Sequence, residues 1–277
     1  MITVDAVLEA LRLEEAGPDR YRANNVQGPA KVVFGGQLMA QSLIAGLLGQ
    51  EGKTAKTLHT VFARSARPDT PLDISVTRMH SGRTLASSTV TISQGDRLCT
   101  QSVVLLSADE PDFIRHADKP ASVPPAPGGE EPDGGSATWQ TKIVGDVDIS
   151  DPEAVGPPEL DVWTRWPGAP DDPATNQALL AFATDGFLIG TAMRPHKGVG
   201  QAQAHVTVST GVLSHTITFH DPFSAGDWLL LSHHSVYAGR GRSYGRANVF
   251  RADGELVASF VQDSMIREMP TTGARHL

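Results

Sequence analysis

The chain has 277 residues and only one cysteine, Cys99, so an intramolecular disulfide is excluded. A single thiol is typical of proteins from a reducing compartment. No apolar run approaches the roughly 20 residues needed to span a bilayer, and no basic segment precedes an apolar run near Met1. We therefore expect a cytoplasmic protein that carries neither a signal peptide nor a transmembrane helix.

Basic residues are few, and they form no dense tract. Lysine and arginine total 23 against 31 aspartates and glutamates, which gives a net charge of −8. Residues 109–161 hold 13 of the acidic and 3 of the basic residues, so this segment carries −10 and the rest of the chain carries +2. The distribution argues against a nucleic-acid partner and leaves the rest of the chain able to accept an anionic ligand.

The acidic segment also holds 9 of the 19 prolines. It includes Pro124-Pro125-Ala126-Pro127 and Pro132-Asp133-Gly134-Gly135, a composition typical of a linker. A connector of this length is unusual within a compact domain but expected between two units. We therefore predict an N-terminal unit over 1–108, a linker over 109–160 and a C-terminal unit over 161–277.

One order of elements occurs twice along the chain. In each half an apolar stretch precedes a strand with a histidine, a Gly-Arg corner and a hairpin. The first half shows this order at residues 33–37, 59–62, 81–83 and 95–96, and the second half at 183–185, 215–220, 238–240 and 253–254. Such internal repetition predicts two similar half-domains with a site where they meet.

The apolar stretches have the spacing of helices, and the remainder of each half has that of strands. A helix is predicted to follow Gly35-Gly36 and to end near Gly49, and a second over 177–189. Strands are predicted over 72–79, 89–92, 99–106, 228–236, 243–250 and 256–266. One helix and a run of antiparallel strands in each half predict an α+β fold in which a sheet wraps around a central helix.

Five phrases, taken in order, resemble those of the type II (TesB-like) acyl-CoA thioesterases, which are double hotdogs on one chain. The phrases are Val33-Phe34-Gly35-Gly36-Gln37, Val162-Trp163-Thr164-Arg165, Ala183-Thr184-Asp185, Phe219-His220-Asp221-Pro222-Phe223 and Val257-Ala258-Ser259-Phe260-Val261-Gln262. The resemblance implies two antiparallel sheets, each wrapped around a long central helix. It also implies an acyl-CoA substrate, no metal or organic cofactor, and a homo-oligomer.

The resemblance further implies that Asp185 and Gln262 hold a hydrolytic water together with a serine or threonine hydroxyl. The family places this hydroxyl three residues before His215, where this chain has Val212. Because strand side chains alternate with period two, positions 210, 212 and 214 are expected on one face, and Thr210 or Ser214 is expected to supply the hydroxyl. A one-residue bulge would change this register and bring in Ser209 or Gly211 instead. We expect His215 and His220 to be structural.

Two further groups are candidates for substrate binding. Gly35, Gly36 and Gln37 open the first helix, where glycine permits close approach to a ligand, although a tight loop without a ligand is the alternative. Arg240 and Arg242 lie in a stretch without acidic residues and are expected either to contact the phosphates of coenzyme A or to be solvated strand charges.

The sequence also contains features that are typical of other functions. Gly241-Arg242-Ser243-Tyr244-Gly245 matches the nucleophile elbow of serine hydrolases, but that motif requires a strand before it and a helix after it, and strands are predicted on both sides. A hotdog hydratase usually needs an Asp/His pair, which Asp185 lacks nearby in sequence. A double hotdog that binds acyl-CoA without hydrolysing it remains the main alternative, and Val212 is its best support.

Overall fold

The computed structural model describes residues 2–120, 122–128 and 137–269, so the Pro132–Gly135 phrase lies outside the described residues. Within these ranges the helices are α1 (Val4–Ala10), α2 (Gly35–Leu47), α3 (Pro173–Ala183) and α4 (Leu188–Met193). The strands of the first half are β1 (Glu14–Gly17), β2 (Arg20–Ala23), β3 (Lys53–Phe62), β4 (Leu72–Ser81), β5 (Leu85–Gln94) and β6 (Arg97–Ala108). Those that follow are β7 (Gln140–Ile143), β8 (Glu159–Arg165), β9 (Val208–Phe219), β10 (Leu229–Gly239), β11 (Arg242–Arg251) and β12 (Leu256–Glu268).

All the strands belong to one antiparallel sheet with the order β1-β2-β4-β5-β6-β3-β9-β12-β11-β10-β8-β7. The halves join where β3 pairs with β9, from Thr57 opposite Thr218 to Val61 opposite Ser214. The two separate sheets that were expected are therefore joined into one continuous sheet, to which each half contributes six strands. The edge strands β1 and β7 have four residues each, and short edges limit uncontrolled pairing with other chains. A homo-oligomer stays a prediction.

The helices α2 and α3 pack against each other on the inner face of the sheet. Helix α2 is apolar or small on nearly every side, as expected of a buried helix. A side chain on Gly46 would meet Val104 of β6 at 2.9 Å, so this glycine lets the helix lie close to the sheet. The predicted first helix is therefore confirmed, and Gly49, in the left-handed region at φ 69°, lies just beyond its end.

The second predicted helix is wrong in its extent. Helix α3 begins after Asp172, whose carboxylate accepts a hydrogen bond from the Thr175 N–H, and ends at Ala183 rather than at residue 189. The Thr184 hydroxyl lies 2.9 Å from the Ala181 carbonyl oxygen, and Gly186 favours helix termination. Asp185 consequently lies in the turn between α3 and α4, not on a helix.

The repeated histidine phrases do not occupy equivalent places. His59 pairs with Thr216, whereas His215 pairs with Thr60, and the latter pair faces the core. Bulges at Lys56 in β3 and Leu213 in β9 show the true correspondence, because each leaves one residue unpaired. Counting two residues from each bulge makes Leu58, not His59, the counterpart of His215.

The acidic segment carries secondary structure from residue 138 onward, whereas residues 109–120 and 122–128 form neither helix nor strand. Strand β7 pairs with β8, and a bridge joins Thr3 to Thr138. Further upstream, Arg115 forms a 2.8 Å ion pair with Asp221 of the second half. The segment therefore contacts both halves rather than only separating them.

Candidate active site

Asp185 lies against the beginning of α2. Its Oδ2 accepts a hydrogen bond from the Gly36 N–H at 3.0 Å, although Gly36 precedes it by 149 residues. A side chain on Gly35 would approach Asp185 Oδ2 at 2.7 Å, and one on Gly36 would collide with the Phe182 carbonyl oxygen. The two glycines are therefore needed for close packing of α2 against α3 and Asp185, and Asp185 takes the place of an N-cap residue.

The other oxygen of Asp185 is buried without a hydrogen-bond partner among the described residues. Burial raises the pKa of this carboxyl group to about 7, and the N–H groups of Gly36 and Gly35 only partly oppose the shift. A carboxylate whose pKa is raised to near neutrality, and which keeps one oxygen without a partner among the described residues, is suited to general base catalysis.

Gln262 is connected to this turn through His215. Thr184 Oγ1 lies 3.1 Å from His215 Nε2, and His215 Nδ1 lies 3.0 Å from Gln262 Oε1. Gln262 Nε2 in turn donates to Ser264 Oγ at 2.9 Å. Burial lowers the pKa of His215 to about 4, so the ring is neutral at physiological pH and serves as a bridge.

The protons in this series of hydrogen bonds can be arranged in two ways. Thr184 has one hydroxyl proton, and both the Ala181 carbonyl oxygen and His215 Nε2 can accept it. If Thr184 donates to His215, His215 Nδ1 donates to Gln262 Oε1 and Gln262 Nε2 donates to Ser264. If Thr184 donates to Ala181, His215 donates to Thr184 and the Gln262 amide turns, so that Ser264 donates to Gln262 Oε1. In both arrangements His215 and Ser264 hold opposite ends of the Gln262 carboxamide.

The two hydroxyls expected near Gln262 lie elsewhere. The bulge at Leu213 places Ser214 opposite Asp263, and Ser214 Oγ donates to the Asp263 carboxylate at 3.3 Å on the exposed face. Thr210 pairs with Ile266, four positions from Gln262 and therefore roughly 13 Å along the strand. The expectation that positions 210, 212 and 214 share a face is wrong for 214, because the bulge breaks the alternation.

The Gln37 side chain is held by hydrogen bonds to the loop that precedes α2. Its carboxamide accepts from the Val26 N–H at 3.0 Å and donates to Asn25 Oδ1 at 3.0 Å, and the side chain is buried. These bonds fasten the loop before α2. A contact of Gln37 with substrate stays a prediction.

Arg240 and Arg242 lie at the tip of the β10–β11 hairpin and are exposed. Arg240 has a φ of 54° and Gly241 a φ of 74°, as a tight two-residue hairpin turn requires. Arg242 pairs with Met265, three residues from Gln262 and thus about 10 Å along the strand. Both arginines remain predictions as phosphate contacts at the rim of the site.

Several residues near the site were not anticipated from the sequence. Phe62 would lie 3.0 Å from a side chain on Gly35, and Trp139 would lie 3.8 Å from one on Gly186. Trp139 stacks on Trp166 with ring centroids 5.4 Å apart and contacts Phe182 edge-on. These aromatic side chains form an apolar wall beside Asp185. Trp139 was missed because it lies in the acidic segment assigned to the linker.

The first half has no equivalent site. Leu58 pairs with Val104, as His215 pairs with Gln262, and Ala55 pairs with Leu106, as Val212 pairs with Ser264. These four first-half side chains are apolar and buried. Within the described residues the polar arrangement therefore occurs once, in the second half.

The structure also bears on the alternative chemistries. Ser243 is buried at the start of β11, between β10 and β12, and no helix follows it, so the nucleophile-elbow geometry is absent. In the described ranges no cluster of His, Cys, Asp or Glu is arranged to hold a metal ion. None of the helices described has both the length and the apolar character needed to cross a membrane.

Comparison with known proteins agrees with this architecture. Models of the N-terminal and C-terminal domains of acyl-CoA thioesterases match residues 25–107 and 107–266. Human acyl-coenzyme A thioesterase 8 is 26% identical over 294 residues, which cover 95% of this chain and 89% of the human protein. Acyl-CoA thioesterase 2 of Haemophilus influenzae is 25% identical over 288 residues, covering 94% of this chain and 96% of that protein.

Solved structures show the same fold. Acyl-CoA thioesterase II TesB2 from Mycobacterium marinum matches with a TM-score of 0.79 and 26% identity, covering 98% of this chain and 100% of that one. A hot dog fold protein from Alicyclobacillus acidocaldarius matches with a TM-score of 0.74 and 20% identity over 96% of this chain and 99% of that one. The expected α+β double hotdog is confirmed. Because the two domain models together span most of the sequence, the chain belongs to the TesB-like, type II acyl-CoA thioesterase family.

Proposed function

We propose that the protein hydrolyses acyl-CoA to a free carboxylic acid and coenzyme A, with Asp185 as the general base. The observation that carries this proposal is the buried Asp185 Oδ1, which has no partner in the described part of the chain, on a carboxyl group whose pKa burial raises to about 7. A water held by this oxygen loses a proton to Asp185 as its own oxygen attacks the thioester carbonyl carbon. The proton then passes to the departing thiolate of coenzyme A.

The beginning of α2 has two roles in this proposal. Its N–H groups hold Asp185 in the free protein, and the positive end of a helix also favours an oxyanion. When the substrate carbonyl oxygen takes one of these N–H groups, Asp185 loses a donor that lowers its pKa and becomes a stronger base. Substrate binding thereby prepares the carboxylate for proton transfer.

Gln262 orients the water in this scheme. Its carboxamide has four hydrogen-bonding positions, of which His215 and Ser264 occupy two. The remaining positions are available to the water, and a carboxamide does not change charge with pH. The aromatic wall at Trp139 and Phe62 borders the acyl group and excludes bulk solvent.

The experiment measures the release of free thiol by wild type and by Asp185→Asn. The substrates are benzoyl-CoA and a series of acyl-CoAs from acetyl-CoA to palmitoyl-CoA. Turnover by wild type and a loss of about 100-fold or more in the variant support the proposal. The alternative, an acyl-CoA-binding protein, is favoured by the apolar Val212. It is supported if acyl-CoA raises the Tm of the wild type but no thiol appears with any substrate.

A further inference from the structure

Ser264 has a position that the sequence alone did not reveal. It lies on β12 directly opposite Val212 of β9, so the two Cβ atoms are about 4.5 to 5.5 Å apart. Its side chain is 1% exposed, and its hydrogen bond within the described residues is the one to Gln262. The hydroxyl that Val212 lacks is therefore present on the neighbouring strand, at the same level of the inner face.

The Gln262 carboxamide would have a free end without this serine. His215 fixes one end, and a planar amide held at one end can still rotate about its last side-chain bond. Ser264 holds the other end in both proton arrangements described above. The hydroxyl also has bonding capacity left over, because among the described residues it makes a single hydrogen bond.

We propose that Ser264 is a positioning residue of the hydrolytic site and replaces, from the opposite strand, the hydroxyl missing at Val212. It acts through Gln262: it fixes the direction of the carboxamide and hence the direction of the water that the carboxamide holds. This inference rests on the proposed thioester hydrolysis. It explains how the site is complete although Thr210 and Ser214 lie outside it.

The test moves the hydroxyl between the two strands. Ser264→Ala is expected to lower kcat about 10-fold with little change in KM, because the amide loses one hydrogen bond while substrate contacts persist. Val212→Thr added to Ser264→Ala is expected to restore at least part of kcat, because threonine has nearly the shape of valine and places an oxygen opposite position 264. Ser259→Ala, which removes a hydroxyl from the other face of β12, is the matched control and should leave kcat unchanged.

A wild-type kcat in Ser264→Ala, or a loss that Val212→Thr does not restore at all, overturns the proposal. A second measurement is independent of turnover. The side-chain amide resonances of Gln262, assigned by their absence in Gln262→Glu, should shift in Ser264→Ala and return toward wild-type values in the double variant. Unchanged resonances overturn the positioning role, whereas an inactive wild type with shifted resonances contradicts only thioester hydrolysis.

Discussion

Asp185 Oδ2 accepts a hydrogen bond from the Gly36 N–H, so a carboxylate from the second half caps the central helix of the first. This contact joins the two half-domains at the site itself. It also requires glycine at two consecutive positions, for different reasons. A side chain on Gly36 meets backbone, whereas one on Gly35 meets the carboxylate.

The two glycines are therefore predicted to respond differently to alanine. Gly36→Ala should lower the free energy of unfolding by roughly 1–3 kcal/mol, because its Cβ collides with the rigid Phe182 carbonyl. Gly35→Ala should unfold nearly like wild type but lose about 10-fold or more in kcat, because Asp185 must move. Urea unfolding and kinetics on the same preparations distinguish these outcomes.

Gly28→Ala is the control, since nothing lies within 4 Å of a side chain there and its φ is not in the left-handed region. Equal effects of Gly35→Ala and Gly36→Ala on both stability and kcat would show that the close approach at Gly35 has no part in catalysis.

Asp185→Asn is predicted to stabilise the fold at alkaline pH. The pKa of this carboxyl group is raised to about 7 in the folded protein, so the native state binds more protons than the unfolded state between about pH 4 and 7. Stability therefore falls as the group ionises with rising pH. Removing the charge should raise the free energy of unfolding at pH 8 by roughly 1–3 kcal/mol. This range is smaller than the full pKa shift would give, because Asp185 keeps some contact with solvent.

The measurement is urea unfolding of wild type and Asp185→Asn at pH 5 and pH 8. The difference between the two proteins should be larger at pH 8. A difference that does not change with pH would mean that Asp185 is already ionised at little cost, and the base assignment would lose its electrostatic support.

The buried histidines are predicted to have the opposite pH dependence. Burial lowers the pKa of both His215 and His233 to about 4, so the unfolded state binds more protons between about pH 6.5 and 4. The stability they contribute is complete above pH 6.5 and is lost as pH falls. His233→Gln, which keeps a donor for the Leu160 carbonyl, should therefore reduce the loss of Tm between pH 7 and pH 5. An identical loss in wild type and variant would exclude His233 from the acid response.

One site per chain is predicted, because the first-half counterpart of the site is filled by Ala55, Leu58, Val104 and Leu106. A thioether analogue of the preferred acyl-CoA, which cannot be hydrolysed, should bind with a stoichiometry of one per chain in calorimetry. A stoichiometry of two would mean that the apolar counterpart also binds ligand. Gly46→Ala, which crowds Val104 in the first half, should leave the stoichiometry at one if the chain still folds.

Local signals, namely helical spacing at α2 and alternation in the hairpins, were sufficient for an α+β double unit, and the resemblance of the five phrases added the hotdog family. The sequence did not locate the hydroxyl that lies next to Gln262. The bulge at Leu213 has no sequence signature, yet it moves Ser214 to the outer face. The bulges in β3 and β9 also shift the correspondence between the halves. Matching His59 to His215 ignores the unpaired residue in each strand, and the true counterpart of His215 is Leu58.

Other parts of the site were missed for different reasons. Ser264 carried a usable signal: it lies two residues after Gln262 on one strand, and period two puts both on the same face. Trp139 carried none, because its role depends on how the acidic segment folds back against Trp166. The turn at Asp185 was obscured by the apolar residues that continue from α3 into α4.

The dependence of kcat/KM on pH tests the central claim most directly, because it reports ionisation of the base in the free enzyme. With the preferred acyl-CoA, kcat/KM of the wild type should rise with pH to a plateau. The rise should follow the ionisation of a single group with an apparent pKa near 7. The residual rate of Asp185→Asn should lack that rise. The same rise in Asp185→Asn, at any level of activity, would show that another group activates the water and would contradict the account.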